Sequence, residues 1–442
     1  MFLAFLSIIF FIFSFYFGYS KPRSAIWFVA FTYPLLYPVN FPVIPSDIIF
    51  LNISRVSLAI ILGVHFRRGK HFQIPKLLEN SFVRAFLLFA IILVIVSIKD
   101  MPKYYLMSYM PLVYISITLG YFLIQSENDY KKFINILTVH GLIFGVVIFL
   151  DFLDIANIQL FIAEIVPNFD IGLNRIGHSR AGIKRVSGLD GNSINSAVRL
   201  VVLIPIAILN LKFQKKGINY VFLIFIFISM IILMSRAAYI ALFITIFFII
   251  YQTANLKKSF FSKVLTLFKM FFSISIILLV LFTFVPFLNN IFQQLFIFSF
   301  EVSTLNNLDQ RTSMFPKVYE LVTSNPFLGQ LKSPLYVYNE VLGGHDLASP
   351  LIYIISGGLV LLISFLNWAI RMPFYFLRKR SLEANSNEMN SILILVSSSF
   401  VAGFIPMFSN WIDTSVSLTI FIFCATFKYN MIIEGNKHPK LN

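Results

Sequence analysis

Long apolar segments joined by short polar connections run along almost the whole chain, and they restrict it to folds that cross a membrane. A spanning helix needs about 20 apolar residues. Thirteen segments approach that length, at approximately 2–19, 25–44, 48–66, 82–98, 105–125, 133–151, 195–211, 218–234, 236–252, 264–288, 349–372, 391–409 and 414–433. Only 12% of the residues are charged, against about a quarter in soluble domains. We therefore predict an all-α polytopic membrane protein.

The second apolar segment, 25–44, differs from the others because "FTYPLLYPVNFPVIP" contains four prolines. Proline lacks the backbone N–H that a helix interior requires, and its ring clashes with the preceding turn. The segment is equally compatible with a spanning helix and with a broken or re-entrant one. The sequence therefore predicts about 12–13 transmembrane helices.

The basic residues are distributed unevenly between the two sides of the predicted bundle. Of the 35 lysines and arginines, 23 fall on one set of alternate connections and ten on the other. Positive residues accumulate on cytoplasmic loops, so we predict that the basic set and the C-terminus are cytoplasmic. The net charge of +16 then follows from membrane topology and does not require a nucleic-acid partner.

This topology divides the chain into five parts and places both long polar connections on the outer face. Membrane helices occupy 1–151, and the first outer loop follows in 152–194. Central membrane helices occupy 195–288, and a larger outer loop with a short helix occupies 289–348. The last part, 349–442, contains membrane helices and a cytoplasmic tail. Long loops on one side of a bundle are common positions for functional residues.

Two arginines near the outer face are candidates for binding an anion. Arg236 lies in "LMSRAAYIALF", between two apolar segments, and Arg311 precedes a predicted short helix in "LDQRTSMFPKVYELVTSNPFLGQ". The guanidinium group suits phosphate because its planar fork donates two parallel hydrogen bonds. The structural alternatives are a snorkelling side chain for Arg236 and an ion pair with Asp309 for Arg311.

Two further stretches carry polar residues next to apolar segments. "RVSGLDGNSINSAVRL" contains Arg185 and Arg199 around a predicted turn and helix start, where the alternative is an ordinary helix cap followed by a snorkelling arginine. "GGHDLASP" places His345 just before an apolar segment. A neutral imidazole can accept a proton near pH 7, although a histidine at a helix start is more often structural. The sequence contains no P-loop or G-x-G-x-x-G motif.

The order of these features resembles the O-antigen ligase and polymerase superfamily over residues 185–365. A Ser-Arg pair begins a span, an arginine precedes a short loop helix and an N-P-x-x-G turn, and a histidine precedes a span with the glycines Gly357 and Gly358. Members of that family are multi-pass glycosyltransferases of the bacterial inner membrane. Their donor is a glycan on undecaprenyl diphosphate, and the active site faces the periplasm.

The resemblance implies a GT-C-like glycosyltransferase architecture with two long periplasmic loops, and an inverting reaction that uses neither metal nor cofactor. It implies catalytic roles for His345, Arg311 and Arg236. The implied diphosphate-binding residues are Arg236, Arg311, Arg199 and Arg185. The implied supporting residues are Asp346, Asn192 and Asn195. The chain-length regulator and flippase of the same pathway are the implied protein partners.

The chain departs from the family pattern at several positions, and these departures affect the choice of function. Asp346 stands where the family commonly has Asn, Ser356 where an acid precedes the glycine, and Phe315 where the short helix usually has Trp. We expect a surface-polysaccharide polymerase. A ligase that transfers the glycan to lipid A-core, a flippase or transporter, and a peptidoglycan-type glycosyltransferase that uses Asp309 or Asp346 remain alternatives.

Overall fold

The computed structural model describes most of the predicted membrane helices and part of the second long loop. The described residues are 2–36, 42–44, 51–68, 80–100, 110–157, 160–161, 179–180, 183–184, 186, 188–189, 193–214, 217–233, 235–253, 314–342, 349–383, 387–408 and 414–437. The predicted span 264–288, most of the loop 152–194 and residues 289–313 lie outside them.

Helices dominate the described part of the chain, as hydropathy predicts. The helices are α1 (Phe2–Ser20), α2 (Pro22–Leu36), α3 (Ile53–Arg68), α4 (Ser81–Ser97), α5 (Met110–Leu123), α6 (Glu127–Phe152), α7 (Ser193–Phe213), α8 (Gly217–Ile232), α9 (Arg236–Thr253), α10 (Phe315–Ser324), α11 (Pro334–Tyr336), α12 (Ser349–Glu383), α13 (Asn387–Phe404) and α14 (Thr414–Lys437). Four contain windows long and apolar enough to cross a bilayer, namely Glu127–Phe152, Ser193–Phe213, Ser349–Phe376 and Met389–Met407. Six shorter apolar helices accompany them, which agrees with a multi-pass membrane protein.

Two short antiparallel hairpins interrupt this helical pattern, and the sequence did not predict them. Strand β1 (Pro42–Ile44) pairs with β2 (Leu51–Asn52), and β3 (Ser179–Arg180) pairs with β4 (Ile183–Lys184). The first hairpin follows α2, which ends at Leu36 after 15 residues. Segment 25–44 is therefore a short helix and a strand, which favours the broken alternative over a continuous span.

Helix α7 is the most buried of the four long helices, with 78% of its apolar window buried. It packs on α6, α8, α9 and α13.

Elsewhere, glycine allows close contact between helices. A Cβ at Gly63 of α3 would lie 2.1 Å from the backbone oxygen of Phe15 in α1, and one at Gly18 would lie 2.0 Å from that of Ile60. Small residues at helix contacts are typical of membrane bundles, where close backbone packing provides attraction.

Among the described residues, basic side chains contact the ends of six helices and part of α14 on one face of the bundle. Arg23 at the start of α2 donates to the Leu123 oxygen at the end of α5 (2.8 Å) and pairs with Asp129 at the start of α6. Other basic groups of this face lie over aromatic rings of neighbouring helices, in the pairs Arg67–Tyr19, Lys131–Phe213 and Lys428–Tyr121. The basic connections predicted to share one side are thus brought together in space. Their assignment to the cytoplasm stays a prediction.

The apolar segment that follows His345 forms α12, and this helix is broken near its start. Gly357 (φ −130°) and Gly358 (φ +62°) have non-helical backbone angles. The predicted loop helix is present as α10, and the "NPFLG" turn ends it as expected. The described part of the second loop therefore contains α10, the turn, the single helical turn α11 and a short π-helix at Val337–Val341.

Candidate functional site

The predicted site residues are described to different extents. Arg185, Asn192, Arg311, His345 and Asp346 lie outside the described residues, so their predicted roles stay predictions. For Arg236 the structure gives the backbone, which begins α9. Asn195 is partly buried in the first turn of α7, four residues before the fully described Arg199, and residues at that spacing share one face of a helix.

Arg199 is the largest of the fully buried side chains among the described residues, with 2% of its surface exposed. One guanidinium nitrogen, Nη1, donates to the backbone oxygen of Pro34 in α2 over 2.9 Å. The guanidinium carbon lies 5.0 Å from the ring centroid of Phe144 in α6. Arg199 therefore faces the interior of the bundle, between α2 and α6. The contact with Pro34 is structural, and the diphosphate-binding role of Arg199 remains a prediction.

The backbone of α2 explains why a cation is held at this position. In a continuous helix the Pro34 oxygen would accept from the N–H of residue 38, but residue 38 is proline and has no N–H. The helix ends at Leu36, so its last carbonyl groups lack helical donors. A helix C-terminus also carries partial negative charge. Arg199 supplies both a hydrogen-bond donor and a compensating positive charge.

His140 contributes a second side chain to the same helix, and none of the sequence motifs above includes it. Its Nε2 lies 2.8 Å from the Phe31 oxygen, and the side chain is 2% exposed. The available signal was a histidine in the middle of an apolar helix, in "ILTVHGLIFG". Ionisable residues within membrane segments are rare and usually contact partners inside the bundle. The partner, however, is a backbone oxygen more than a hundred residues away.

The break in α12 forms the second part of the candidate site. In an unbroken helix Leu359 N–H would donate to the Ile355 oxygen, and Val360 N–H to the Ser356 oxygen. Here the segment after α10 provides partners for both the N–H groups and the carbonyl oxygens of the break. Leu359 N donates to Pro326 O (2.8 Å) and Val360 N to Phe327 O (3.3 Å), while Gln330 N donates to Ile355 O (2.8 Å) and Lys332 N to Ser356 O (3.4 Å). The two lost helical bonds are replaced by four bonds to the loop.

Glycine is required on both sides of this junction. At Gly358 an added Cβ would lie 2.2 Å from the Phe327 oxygen, and at Gly329 it would lie 2.5 Å from the Gly358 nitrogen. Both residues also have positive φ, +62° and +61°, a conformation that L-residues with a side chain rarely adopt. The N-P-x-x-G turn and the paired glycines of α12 are therefore complementary parts of one structure.

Side chains fix the rest of the loop to the same end of the bundle. Buried apolar residues of α10, of the segment after it and of α12 form a separate small core, which consists of Val318, Val337, Leu342, Ile352 and Ile355. Lys317 Nζ donates to the Val341 oxygen over 2.7 Å. Asp100, just after α4, accepts from both the backbone N (2.8 Å) and the Oγ (3.0 Å) of Ser333. The loop is thus attached to α4 and α12.

The predicted Ser-Arg pair has the local geometry of a helix start. Ser235 is buried, and its Oγ lies 3.4 Å from the backbone N of Ala238, in the position of an N-cap. Helix α9 begins at Arg236 and packs on α7 and α13. Arg236 therefore belongs to the helix that contacts the Arg199-bearing helix.

Comparisons with known proteins do not add a family to these observations. No protein-family model and no curated protein sequence matches the chain.

Proposed function

We propose that this protein is a membrane glycosyltransferase that polymerises surface polysaccharide. The donor is a glycan linked to undecaprenyl diphosphate, and the acceptor is a lipid-linked repeat unit at the periplasmic face of the bacterial inner membrane. The chemical residues are His345, Arg311 and Arg236, and the helices have a GT-C-like arrangement. Transfer to lipid A-core is the alternative acceptor reaction for the same donor site.

The observation that carries the proposal is the junction between α12 and the loop. Arg311 precedes Met314 by three residues, and His345 lies between Leu342 and Ser349 in the sequence. The described segments that adjoin these residues in the sequence share the small core that includes Val318 and Leu342, and four backbone bonds join the segment after α10 to the α12 break. Residues 314–342 and α12 therefore belong to one packed unit, which supports the proposal.

The proposed reaction needs a stabilised leaving group and a proton acceptor. The acceptor hydroxyl oxygen attacks the anomeric carbon of the donor sugar from the face opposite the diphosphate. The bond from that carbon to the diphosphate oxygen breaks, and its electron pair remains on the diphosphate. Arg236 and Arg311 neutralise the charge that develops there. The hydroxyl proton passes to the neutral imidazole of His345, and the anomeric configuration is inverted.

The direct test replaces His345 by alanine in the native host. We expect His345→Ala to abolish chain extension, because the hydroxyl then lacks its proton acceptor, while the protein still inserts in the membrane at normal abundance. The readouts are surface polysaccharide on a gel and an immunoblot of the membrane fraction. His438→Ala, in the predicted cytoplasmic tail, is the matched control. Polymer of undiminished length from His345→Ala would refute the assignment.

Deletion of the gene separates the polymerase from the alternative activities. A polymerase deletion leaves single repeat units attached to lipid A-core. A ligase deletion leaves lipid A-core without polymer while carrier-linked chains accumulate. Loss of a flippase leaves neither single repeat units nor polymer on lipid A-core, and the repeat unit accumulates on the cytoplasmic side. Only the first pattern agrees with the proposal.

A further inference from the structure

The tip of the "NPFLG" turn exposes two large apolar side chains. Phe327 is 67% exposed and Leu328 is 50% exposed, although the backbone of this turn is bonded to α12 and Gly329 beside them is buried. Exposed apolar side chains on a tightly held turn contact water, another protein surface or lipid. The height of the turn along the helix bundle distinguishes contact with lipid from exposure to water.

One close contact gives the height of the break along the bundle. A Cβ at Gly357 would lie 3.0 Å from Cγ2 of Val96, so the break is level with the last turn of the apolar helix α4, which ends at Ser97. The exposed Lys99 and the half-buried Asp100 follow that turn directly.

The surface just beyond the break is apolar and exposed, as expected of a face that contacts lipid. Val360, whose N–H is bonded to the Phe327 oxygen, is 44% exposed, and Ile363 one turn further is 61% exposed. On the neighbouring helix α4, Ile95 and Ile91 are 59% and 49% exposed. The turn therefore lies near exposed apolar residues of both α4 and α12, at the end of α4 where charged residues begin.

We propose that the turn at residues 325–329 is an interfacial membrane anchor, with Phe327 and Leu328 in contact with lipid at the boundary between headgroups and acyl chains. Aromatic side chains are favoured at this depth. Two backbone bonds from the turn and two from Gln330 and Lys332 just after it hold the turn against α12, so contact with lipid fixes the height of the α12 break relative to the bilayer. The anchor does not depend on the proposed glycosyl transfer.

The test measures the depth of single labelled cysteines in vesicles. The purified full chain, with the buried Cys424 replaced by alanine, is labelled with an environment-sensitive fluorophore at Phe327→Cys or, as a second position, Leu328→Cys. It is reconstituted into vesicles of phosphatidylethanolamine and phosphatidylglycerol. Ile363→Cys on α12 serves as the deep control. Asn339→Cys, an exposed polar position in the same loop, serves as the aqueous control.

We expect labels at 327 and 328 to be quenched most by lipids that carry a nitroxide near the headgroup. The label at 363 should be quenched most by nitroxides deeper in the acyl chain, and the label at 339 by aqueous iodide. Iodide quenching at 327 and 328 equal to that at 339 would place the turn in water and overturn the proposal. Protection of both positions from iodide and from nitroxide lipids would indicate cover by protein, and would overturn it equally.

Discussion

Arg199 joins the start of α7 to the end of α2. An arginine so close to apolar segments either snorkels to the membrane surface or pairs with a partner inside the bundle. One guanidinium nitrogen of Arg199 donates to the Pro34 oxygen, at a helix end that Pro38 leaves without a donor. This partner is 165 residues away in sequence, so no local pattern encodes the contact.

The structural role of Arg199 predicts a stability effect that a purely ligand-binding role would not produce. Arg199→Met removes a buried hydrogen bond that involves a charged group and leaves the Pro34 carbonyl without this donor. We expect a loss of about 2 kcal/mol of unfolding free energy, measured as thermal unfolding of purified protein in detergent. Arg199→Lys retains a donor and a charge and should lose less.

The matched control for Arg199→Met is the same substitution at an exposed arginine. Arg84 on α4 is exposed, and Arg84→Met should leave the unfolding temperature nearly unchanged. Equal unfolding temperatures for the Arg199 and Arg84 variants would show that Arg199 does not stabilise the end of α2. Its burial would then need another explanation, such as the predicted contact with the diphosphate.

At the scale of elements, apolar length predicted most helices but not where they break. Each predicted span outside 25–44 and 264–288 coincides with a described helix, because about 20 apolar residues are needed to cross a bilayer regardless of sequence detail. The α12 break depends instead on backbone groups of Pro326 and Phe327, which pair with Leu359 and Val360. The two glycines and the N-P-x-x-G turn are visible in the sequence, but the hydrogen bonds between them could not be predicted from it.

The junction predicts that alanine is not tolerated at Gly358. Its Cβ would lie 2.2 Å from a backbone oxygen, and the positive φ alone costs an L-residue roughly 1–2 kcal/mol. We expect Gly358→Ala to separate the turn from α12. The variant should unfold at lower temperature in detergent and become more sensitive to protease within residues 325–332.

Gly217→Ala provides the control for that experiment. An added Cβ at Gly217 would meet no atom within 4 Å, and alanine is favoured over glycine in a helix by up to about 1 kcal/mol. The control variant should therefore be as stable as the parent protein or slightly more stable. If Gly358→Ala matched it in both stability and protease resistance, the four-bond junction would not be a fixed part of the fold.

At the scale of the whole molecule, the alternation of spans predicted that the basic connections share one face, and several of the described ones do. Arg23 and Asp129 meet the end of α5 at one face. Asp100 and Ser333 meet just beyond the C-terminal end of α4, whereas Arg84 lies near the N-terminal end of that helix. The compartment that each face contacts stays a prediction, based on the excess of positive residues on cytoplasmic loops, and it can be tested directly.

Two matched asparagine positions on opposite faces give that test. Asn128 lies just inside α6 on the basic face, Asn339 lies in the loop after α11, and both are exposed. In the Cys424→Ala background, a maleimide that cannot cross the inner membrane should label Asn339→Cys in cells with a permeabilised outer membrane. It should label Asn128→Cys only after the inner membrane is disrupted. The reverse pattern would invert the predicted topology and contradict the proposed periplasmic position of Arg311 and His345. Labelling of both positions in intact spheroplasts would contradict the assignment of the two faces to opposite sides.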